Sequence, residues 1–183
     1  MSADLVRSLE ADARDRSRSL ADHRSVELAF GVTTSQRFAL RRFQGRLAEL
    51  EPLLEAALRE QPERLALECM LALLYASTGR FAAARARLAG IVERCREGRL
   101  IRLPADANRS LNAALLAETC ACLRDSETAA RLELELEIAG DGNLCLGALV
   151  CAGSVQRYRG LLAHARGDQD EAVAFLEDAI EWE

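Results

Sequence analysis

Residues 74–84 read LYASTGRFAAA, and residues 162–172 read LAHARGDQDEA. In both stretches an apolar run ends at a glycine, a charged residue follows, and an alanine stands five residues after the glycine. The glycines are Gly79 and Gly167, and the alanines are Ala84 and Ala172. Glycine adopts the left-handed conformation at the end of a helix without a Cβ penalty, and alanine lets two helices cross closely. Each stretch therefore predicts a hairpin of two helices.

Two further corners extend this pattern into a repeat. Gly45, in FQGRLAEL, lies 34 residues before Gly79, which is the tetratricopeptide period. Arg124, in CLRDSETAA, stands at a degenerate fourth corner, with Ala129 five residues later. The sequence thus predicts an all-α fold, a right-handed superhelix (α-solenoid) of tetratricopeptide-like helical hairpins. The predicted parts are an N-terminal helix over 1–30 and an array over 31–183, with approximate repeats 31–62, 63–97, 106–139 and 147–183.

The apolar spacing also predicts the individual helices. They span about 3–29, 33–44, 46–60, 63–78, 81–97, 107–123, 126–138, 148–166 and 168–182. Thr33, Thr34 and Ser35 supply N-cap chemistry for the second of these, and Asp125 or Ser126 for the one starting at 126. Residues 132–138 alternate with period two, as in a half-buried strand. We still predict a helix there, because a lone strand among helices has no partner for its backbone.

The composition excludes several kinds of chemistry. The chain has 183 residues, 50% of them hydrophobic, and all 24 basic residues are arginine. Without lysine, neither Schiff-base chemistry nor a phosphate-loop lysine is possible. Its two histidines and the absence of a C-x-x-C pair make most triads and metal sites hard to build. We therefore expect no enzyme activity, catalytic residue, metal or cofactor, and we interpret the six cysteines as buried structural thiols.

Two stretches resemble a known family. Residues 36–62, QRFALRRFQGRLAELEPLLEAALREQP, and residues 103–179 are similar to the C-terminal tetratricopeptide-like region of large bacterial signalling proteins. These are the ATP-dependent LuxR-type transcriptional regulators and the multidomain adenylate/guanylate cyclases. The resemblance covers about residues 33–182, and its most specific part is GSVxRYxGLLA at 153–163.

In that family the helical array is taken to act as a sensor and docking surface that regulates the other domains. The resemblance therefore implies a regulatory array working in bacterial transcriptional or nucleotide-switch signalling. ATP, DNA or cyclase chemistry is not expected from this chain, which has no lysine for a phosphate loop. We expect a free-standing or excised regulatory part of such a system.

The repeat frame also predicts which side chains line the concave groove, because the first helix of each pair forms that surface. The candidate groove residues are Arg42, Glu118, Arg157 and His164, with Gln36 and Tyr158 beside them. An arginine at such a rim can hold a carboxylate or a peptide C-terminus through two hydrogen bonds. The leading interpretation is a protein or peptide partner, and the alternative is a small-molecule (metabolite) sensor.

The charge distribution restricts the choice of partner. Residues 1–110 carry 19 arginines and 15 acids, whereas residues 111–183 carry 5 arginines and 14 acids. This asymmetry fits either an ordinary solvated surface or head-to-tail packing with another domain or copy. The arginines at 37, 41, 42 and 46 are expected to pair with Glu49 and Glu51 while the phenylalanines between them are buried, rather than to bind nucleic acid.

Three expectations concern location and self-association. No apolar run approaches the roughly 20 residues needed to cross a bilayer, and the N-terminus lacks the features of a signal peptide, so we expect a cytoplasmic protein without membrane contact. Self-association through the C-terminal helix is the remaining expectation.

Overall fold

The structure, a computed structural model, describes the backbone of residues 23–106, 108–146 and 150–182. Side chains are described from residue 33, with gaps at 107 and 145–150, as far as 181. The chain divides after Arg46 into two compact units. The described residues are mostly helical, as the sequence predicts.

The described part of the first unit is one helix, α1 (His23–Phe43). The predicted break between the helices 3–29 and 33–44 is wrong, because α1 runs through residues 30–32 without interruption. Thr33, Thr34 and Ser35 therefore do not cap a helix. Their hydroxyls suit a helix interior as well as an N-cap, because Ser and Thr can bond to a carbonyl one turn back. The rest of the predicted N-terminal helix, residues 1–22, lies outside the described residues.

The phenylalanines at the end of α1 differ from each other. Phe38 is buried, as predicted, but Phe43 is 78% exposed, so the predicted burial is wrong for Phe43. Phe43 is the last residue of α1, where the chain turns away at Gly45, which has a φ of 67°. A side chain at such an end has no following turn to pack against.

The second unit contains seven α-helices and two short hairpins within the described residues. A 3₁₀ turn (Leu47–Leu50) leads directly into α2 (Glu51–Glu60). The further helices are α3 (Leu65–Ser77), α4 (Phe81–Arg94), α5 (Arg109–Leu123), α6 (Ser126–Ala139), α7 (Val155–Arg166) and α8 (Gln169–Trp182). The strands are β1 (Arg96–Glu97), β2 (Leu100–Ile101), β3 (Asn143–Leu146) and β4 (Val150–Ser154).

The two hairpins correct the sequence prediction. β1 pairs antiparallel with β2 at the end of the predicted helix 81–97 and inside the following loop. β3 pairs antiparallel with β4, so residues 150–154 form a strand although a helix was predicted from 148. Gly153, with a φ of 107°, is unfavourable inside a helix, and Ser154 caps α7 by accepting a hydrogen bond from the amide of Arg157.

The helices of the second unit pack in a regular order. α3 packs on α4 and on α5, α5 packs on α6 and on α7, and α7 packs on α6 and on α8. The first helices of three successive pairs, α3, α5 and α7, are thus neighbours in sequence order. Each is followed by a second helix that packs on it, so burial is shared between neighbouring pairs.

The corners between paired helices all have positive φ. Gly79 has a φ of 77° and Gly167 of 94°, as predicted for glycine corners. Arg124 has a φ of 50° and forms the same kind of left-handed cap at the end of α5. The alanines five residues after these corners, Ala84, Ala129 and Ala172, are all buried. The small residue at each crossing lets the second helix lie close to the first.

The period-two segment is helical, as predicted. α6 begins with Asp125, whose carboxylate accepts a hydrogen bond from the amide of Thr128 at 3.0 Å. Leu132 and Leu136 are fully buried, four residues apart on one face of α6. The helix therefore follows the i, i+4 apolar pair and not the alternation.

Candidate functional site

Two of the predicted groove residues contact each other. Arg157, near the start of α7, donates from Nη1 to Oε1 of Glu118 on α5 at 3.1 Å. The Glu118 side chain is buried, whereas that of Arg157 is 32% exposed. The guanidinium also lies over the ring of Tyr158, 5.0 Å from its centroid. This pair joins a partly exposed arginine on α7 to a buried carboxylate on the neighbouring helix α5.

Tyr158 is fully buried and positions the start of α7. Its hydroxyl donates to the carbonyl of Ala152 in β4 at 2.7 Å, which ties the helix to the hairpin before it. The ring is therefore a structural element of the α7 start, and its predicted place beside a partner in the groove stays a prediction.

Four positions of the GSVxRYxGLLA stretch have a physical explanation. Gly153 provides the positive φ, Ser154 caps α7, and Tyr158 anchors the helix to β4. Gly160 lies where α8 approaches most closely, since a Cβ built on it would be 2.8 Å from Cγ of Leu176. The stretch thus fixes how α7 begins and how α8 packs on it.

His164 lies near the end of α7, beside the corner between α7 and α8, and its groove role stays a prediction. It lines an open cleft of about 390 Å³ whose wall also includes Arg124, Ser126, Arg166 and Gln169. The His164 Nδ1 lies 3.2 Å from Oε1 of Gln169. The cleft thus brings together the ends of α5 and α7 and the starts of α6 and α8.

Gln36 and Arg42 belong to α1 in the first unit, and both are half-buried. Neighbouring Arg41 donates to Oε1 of Gln44 at 2.7 Å. Glu51, which was expected to pair with the arginines of this segment, accepts from Arg80 at 2.7 Å. The Arg80 hydrogen bond is the main cause of a lowered pKa of the Glu51 carboxyl. The groove role of Gln36 and Arg42 stays a prediction.

The sequence did not predict a buried ion pair between α5 and α6. Arg109, at the start of α5, donates from Nε and Nη2 to the two carboxylate oxygens of Glu135 at 2.8 and 3.0 Å. The Glu135 side chain has no exposed surface, and the hydrogen bond to it raises the pKa of Arg109. If residues 132–138 form a helix, Glu135 lies on the same buried face as Leu132 and Leu136. This spacing is the feature of the sequence that could have indicated a buried glutamate.

Arg166 is a second unpredicted ionic centre. It donates to Glu133 of α6 at 2.9 Å and to Asp168 at 3.0 Å, and it also pairs with Glu171. Its side chain is largely buried, and these carboxylates raise the pKa of the guanidinium against the effect of burial. Three acids thus surround one arginine at the α7–α8 corner.

The last described helix carries an exposed apolar stripe. Val173, Leu176 and Ile180 are 53%, 36% and 76% exposed, and their i, i+3, i+7 spacing places them on one face of α8. Ala172 and Ala179 are buried on the adjoining side of α8, roughly 80° around the helix axis from the stripe. No such exposed apolar stripe was named from the sequence, although the same spacing would have located it.

The described cysteine side chains are only partly buried, which corrects the sequence interpretation, and the side chain of Cys145 lies outside the described residues. Cys69, Cys95 and Cys120 are buried, and burial raises the pKa of each thiol, so these side chains stay protonated at neutral pH. Cys122 and Cys151 are exposed. In the part of the chain that the structure describes, no group of three or more His, Cys, Asp or Glu side chains could hold a metal ion.

None of the described helices has both the length and the apolar composition needed to cross a membrane. No protein-family model, curated protein or solved structure matches this chain.

Proposed function

We propose that this chain is a non-enzymatic protein-interaction module, an α-solenoid of tetratricopeptide-like helix pairs that binds a segment of a protein partner. The observation that carries the proposal is the packing order of the second unit. The first helices α3, α5 and α7 lie side by side, and each is backed by its own second helix. A row of first helices presents one continuous surface along several pairs, which is how repeat arrays form extended concave binding surfaces.

Three further observations support a repeated unit. The corners at Gly79, Arg124 and Gly167 all have left-handed geometry. A buried alanine follows each of them after five residues. The spacing from Gly45 to Gly79 equals the tetratricopeptide period, and the 45- and 43-residue spacings that follow include the two β-hairpins. The insertions therefore lie between pairs and leave the pairs themselves regular.

The chemistry of the proposed groove centres on Arg157. Its guanidinium is partly exposed while its partner Glu118 lies beneath it, so the carboxylate fixes the direction in which the arginine extends. An oriented guanidinium suits a carboxylate of the partner, either an acidic side chain or a peptide C-terminus. The resemblance to bacterial regulators supports a partner from transcriptional or nucleotide-switch signalling.

A capture experiment tests the groove. We expect the wild-type chain, immobilised at low density, to retain a defined partner from the native lysate, and Arg157→Gln to lose it. Arg131→Gln is the matched control, because Arg131 is also half-buried but bonds to the carbonyl of Arg99 away from the row of first helices. Equal thermal melting of the three proteins excludes unfolding as the cause. The same retained proteins for all three would contradict the groove.

A second candidate function, small-molecule sensing, is favoured by the cleft at the corners. Its volume of about 390 Å³ is in the range of small-ligand sites, and its wall joins two helix pairs. A ligand there would change the packing between the pairs. A ligand that binds only the folded state raises the melting temperature. Thermal-shift screening with sugars, nucleotides and amino acids tests this function, and a shift that persists in His164→Ala/Gln169→Ala would place the ligand elsewhere.

A further inference from the structure

We propose that the outer face of the α7–α8 pair binds an amphipathic helix of a partner protein, one whose apolar stripe is flanked by arginine or lysine. This inference rests on the proposed function, because it treats α7–α8 as one pair of a repeated array. It names a second surface, apart from the groove, and the chemistry of its occupant.

The equivalence of the last two pairs identifies this face. Their corners, Arg124 and Gly167, are 43 residues apart, and the buried alanines that follow keep the same separation. The α5–α6 pair contacts α7 through Glu118 and Glu133, which hold Arg157 and Arg166. The helix α7 therefore lies on the face of α5–α6 that carries these two acids.

Adding the same 43 residues to these contact positions gives the equivalent positions in the α7–α8 pair. Glu118 corresponds to Leu161 on α7, and Glu133 corresponds to Leu176 on α8. On the α5–α6 pair these two positions are glutamates that contact α7. On the α7–α8 pair the equivalent positions are leucines. Leu161 is half-buried and Leu176 is 36% exposed. The α7–α8 pair thus offers apolar contacts where the preceding pair offers ion pairs.

Val173 and Ile180 extend the apolar surface along α8. Both are more than half exposed, about one turn on either side of Leu176. Leu176 itself lies against Gly160 of α7, so the stripe borders the seam between the two helices. A helix lying in this seam would contact α7 and α8 together, as α7 contacts α5 and α6.

The acidic residues beside the stripe indicate the charge that the partner helix must carry. Asp170, Glu177 and Glu181 lie along the solvent side of the stripe at i, i+7 and i+11, and all three are exposed. Among the described residues none of them has an ion-pair partner. α8 carries no basic residue from Gln169 to Trp182. Complementarity therefore requires a basic flank on the partner helix.

The acidic flank disfavours two other occupants. In an antiparallel symmetric dimer through α8, the acids of one copy would face those of the other across the two-fold axis. An anionic lipid surface would likewise be repelled. A basic amphipathic helix satisfies both the stripe and its flank, and it follows the helix-in-groove mode of recognition.

Two synthetic helical peptides of about eighteen residues test the proposal, a length that supports stable helix formation. They share one leucine stripe and carry either arginine or glutamate beside it. Fluorescence anisotropy with the full chain is expected to show at least about tenfold tighter binding of the arginine peptide. Glu177→Arg/Glu181→Arg is expected to reverse this preference, because it inverts the flank without changing the stripe.

Variants of the stripe locate the binding site. Val173→Ser/Ile180→Ser is expected to weaken the arginine peptide by about tenfold or more. Ile138→Ser removes an exposed isoleucine from α6 and is the matched control, expected to bind as the wild type does. Because all of these side chains are exposed, the variants should fold, and circular dichroism verifies this.

Several results would overturn the proposal. Equal binding of both peptides would show that the flank plays no part, and unchanged binding by Val173→Ser/Ile180→Ser would place the peptide elsewhere. A dimer of the wild type in sedimentation that this double variant dissolves would make a second copy the occupant. Any of these results is compatible with loss of the groove partner in Arg157→Gln. The peptide experiments can therefore refute the outer-face proposal without refuting the proposed function.

Discussion

The α5–α6 and α7–α8 pairs share one framework but differ in what surrounds them. In both, a first helix ends in a left-handed corner and a buried alanine follows after five residues. The α5–α6 pair is packed on by α4 and by α7, whereas α7–α8 has an exposed apolar stripe along α8. The same backbone unit therefore serves as an enclosed pair in one place and as an open pair in the other.

The side chains at equivalent positions explain this difference. Glu135 of α6 is fully buried against Arg109, while its equivalent on α8, Asp178, is exposed. Ala117 of α5 is buried, and its equivalent on α7 is Gly160. The two pairs share their backbone geometry but differ in their side chains. The corner residue therefore determines that a helix hairpin forms, and the side chains on the outer faces determine what packs against it.

The largest expected effect comes from the ion pair of the enclosed pair. Arg109→Met leaves the carboxylate of Glu135 buried without its two short hydrogen bonds, and this should lower the free energy of unfolding by about 3 kcal/mol. Urea denaturation measures it. Arg102→Met is the control, since Arg102 is 4.0 Å from Glu135 and more exposed, and should cost much less. Equal losses in both variants would show that Arg109 is not the main partner of Glu135.

The next effect tests how closely α8 approaches α7. Helix propensity alone predicts that Gly160→Ala stabilises α7 by about 1 kcal/mol. The added Cβ would however lie 2.8 Å from Leu176 Cγ and 3.2 Å from the carbonyl oxygen of Ala172. We expect a net destabilisation of about 1 kcal/mol, measured by thermal or urea unfolding. Ala117→Gly, the reverse change at the equivalent position, should also destabilise. A more stable Gly160→Ala protein would refute this close crossing.

A smaller effect distinguishes the corners. Arg124 holds a positive φ that costs a non-glycine residue about 1 kcal/mol, so Arg124→Gly should raise the free energy of unfolding by up to about that amount. Gly167→Arg places a side chain at φ 94° and should lower the free energy by a similar amount. Unfolding curves of the two variants should thus shift in opposite directions. Shifts in the same direction would show that the two corners are not equivalent.

The smallest effect concerns the exposed ion pair outside the two compared pairs. The Arg80 hydrogen bond lowers the pKa of Glu51 in the folded chain, so its stabilisation is present above the unfolded pKa, near 4.5. It is lost as the pH falls through the lower, folded pKa. The melting temperature of the wild type should therefore fall slightly more between pH 6 and pH 3 than that of Glu51→Gln. Parallel pH profiles would show that this pair does not stabilise the fold.

The sequence predicted the helix pairs because glycine corners and apolar spacing act locally. Gly79, Gly167 and even Arg124 lie at left-handed corners, and the alanines after them are buried. It missed the continuity of α1 at Thr33–Ser35, where hydroxyl side chains suit a helix interior as well as a cap. This error arises because the same run of hydroxyl side chains is compatible with both a helix N-cap and a helix interior.

The ion pairs and the open face depend on long-range contacts instead. Arg109 and Glu135 are 26 residues apart, and Arg166 and Glu133 are 33 apart, so no local pattern could join them. In a chain with 24 arginines the correct partner is fixed by the packing of α5, α6 and α7. The predicted groove therefore contained Arg157 and Glu118 but not their pairing, and the cleft beside His164 was not predicted.

The exposure of methyl groups to a soluble paramagnetic agent tests the central claim most directly. In the methyl NMR spectrum of the full chain at low concentration, the signals of Val173 and Ile180 should broaden strongly. Those of Leu132 and Leu136, which lie on the enclosed α6, should keep their intensity. Equal protection of all four residues would mean that the outer face of α8 is covered, and would contradict an array of helix pairs with one open face.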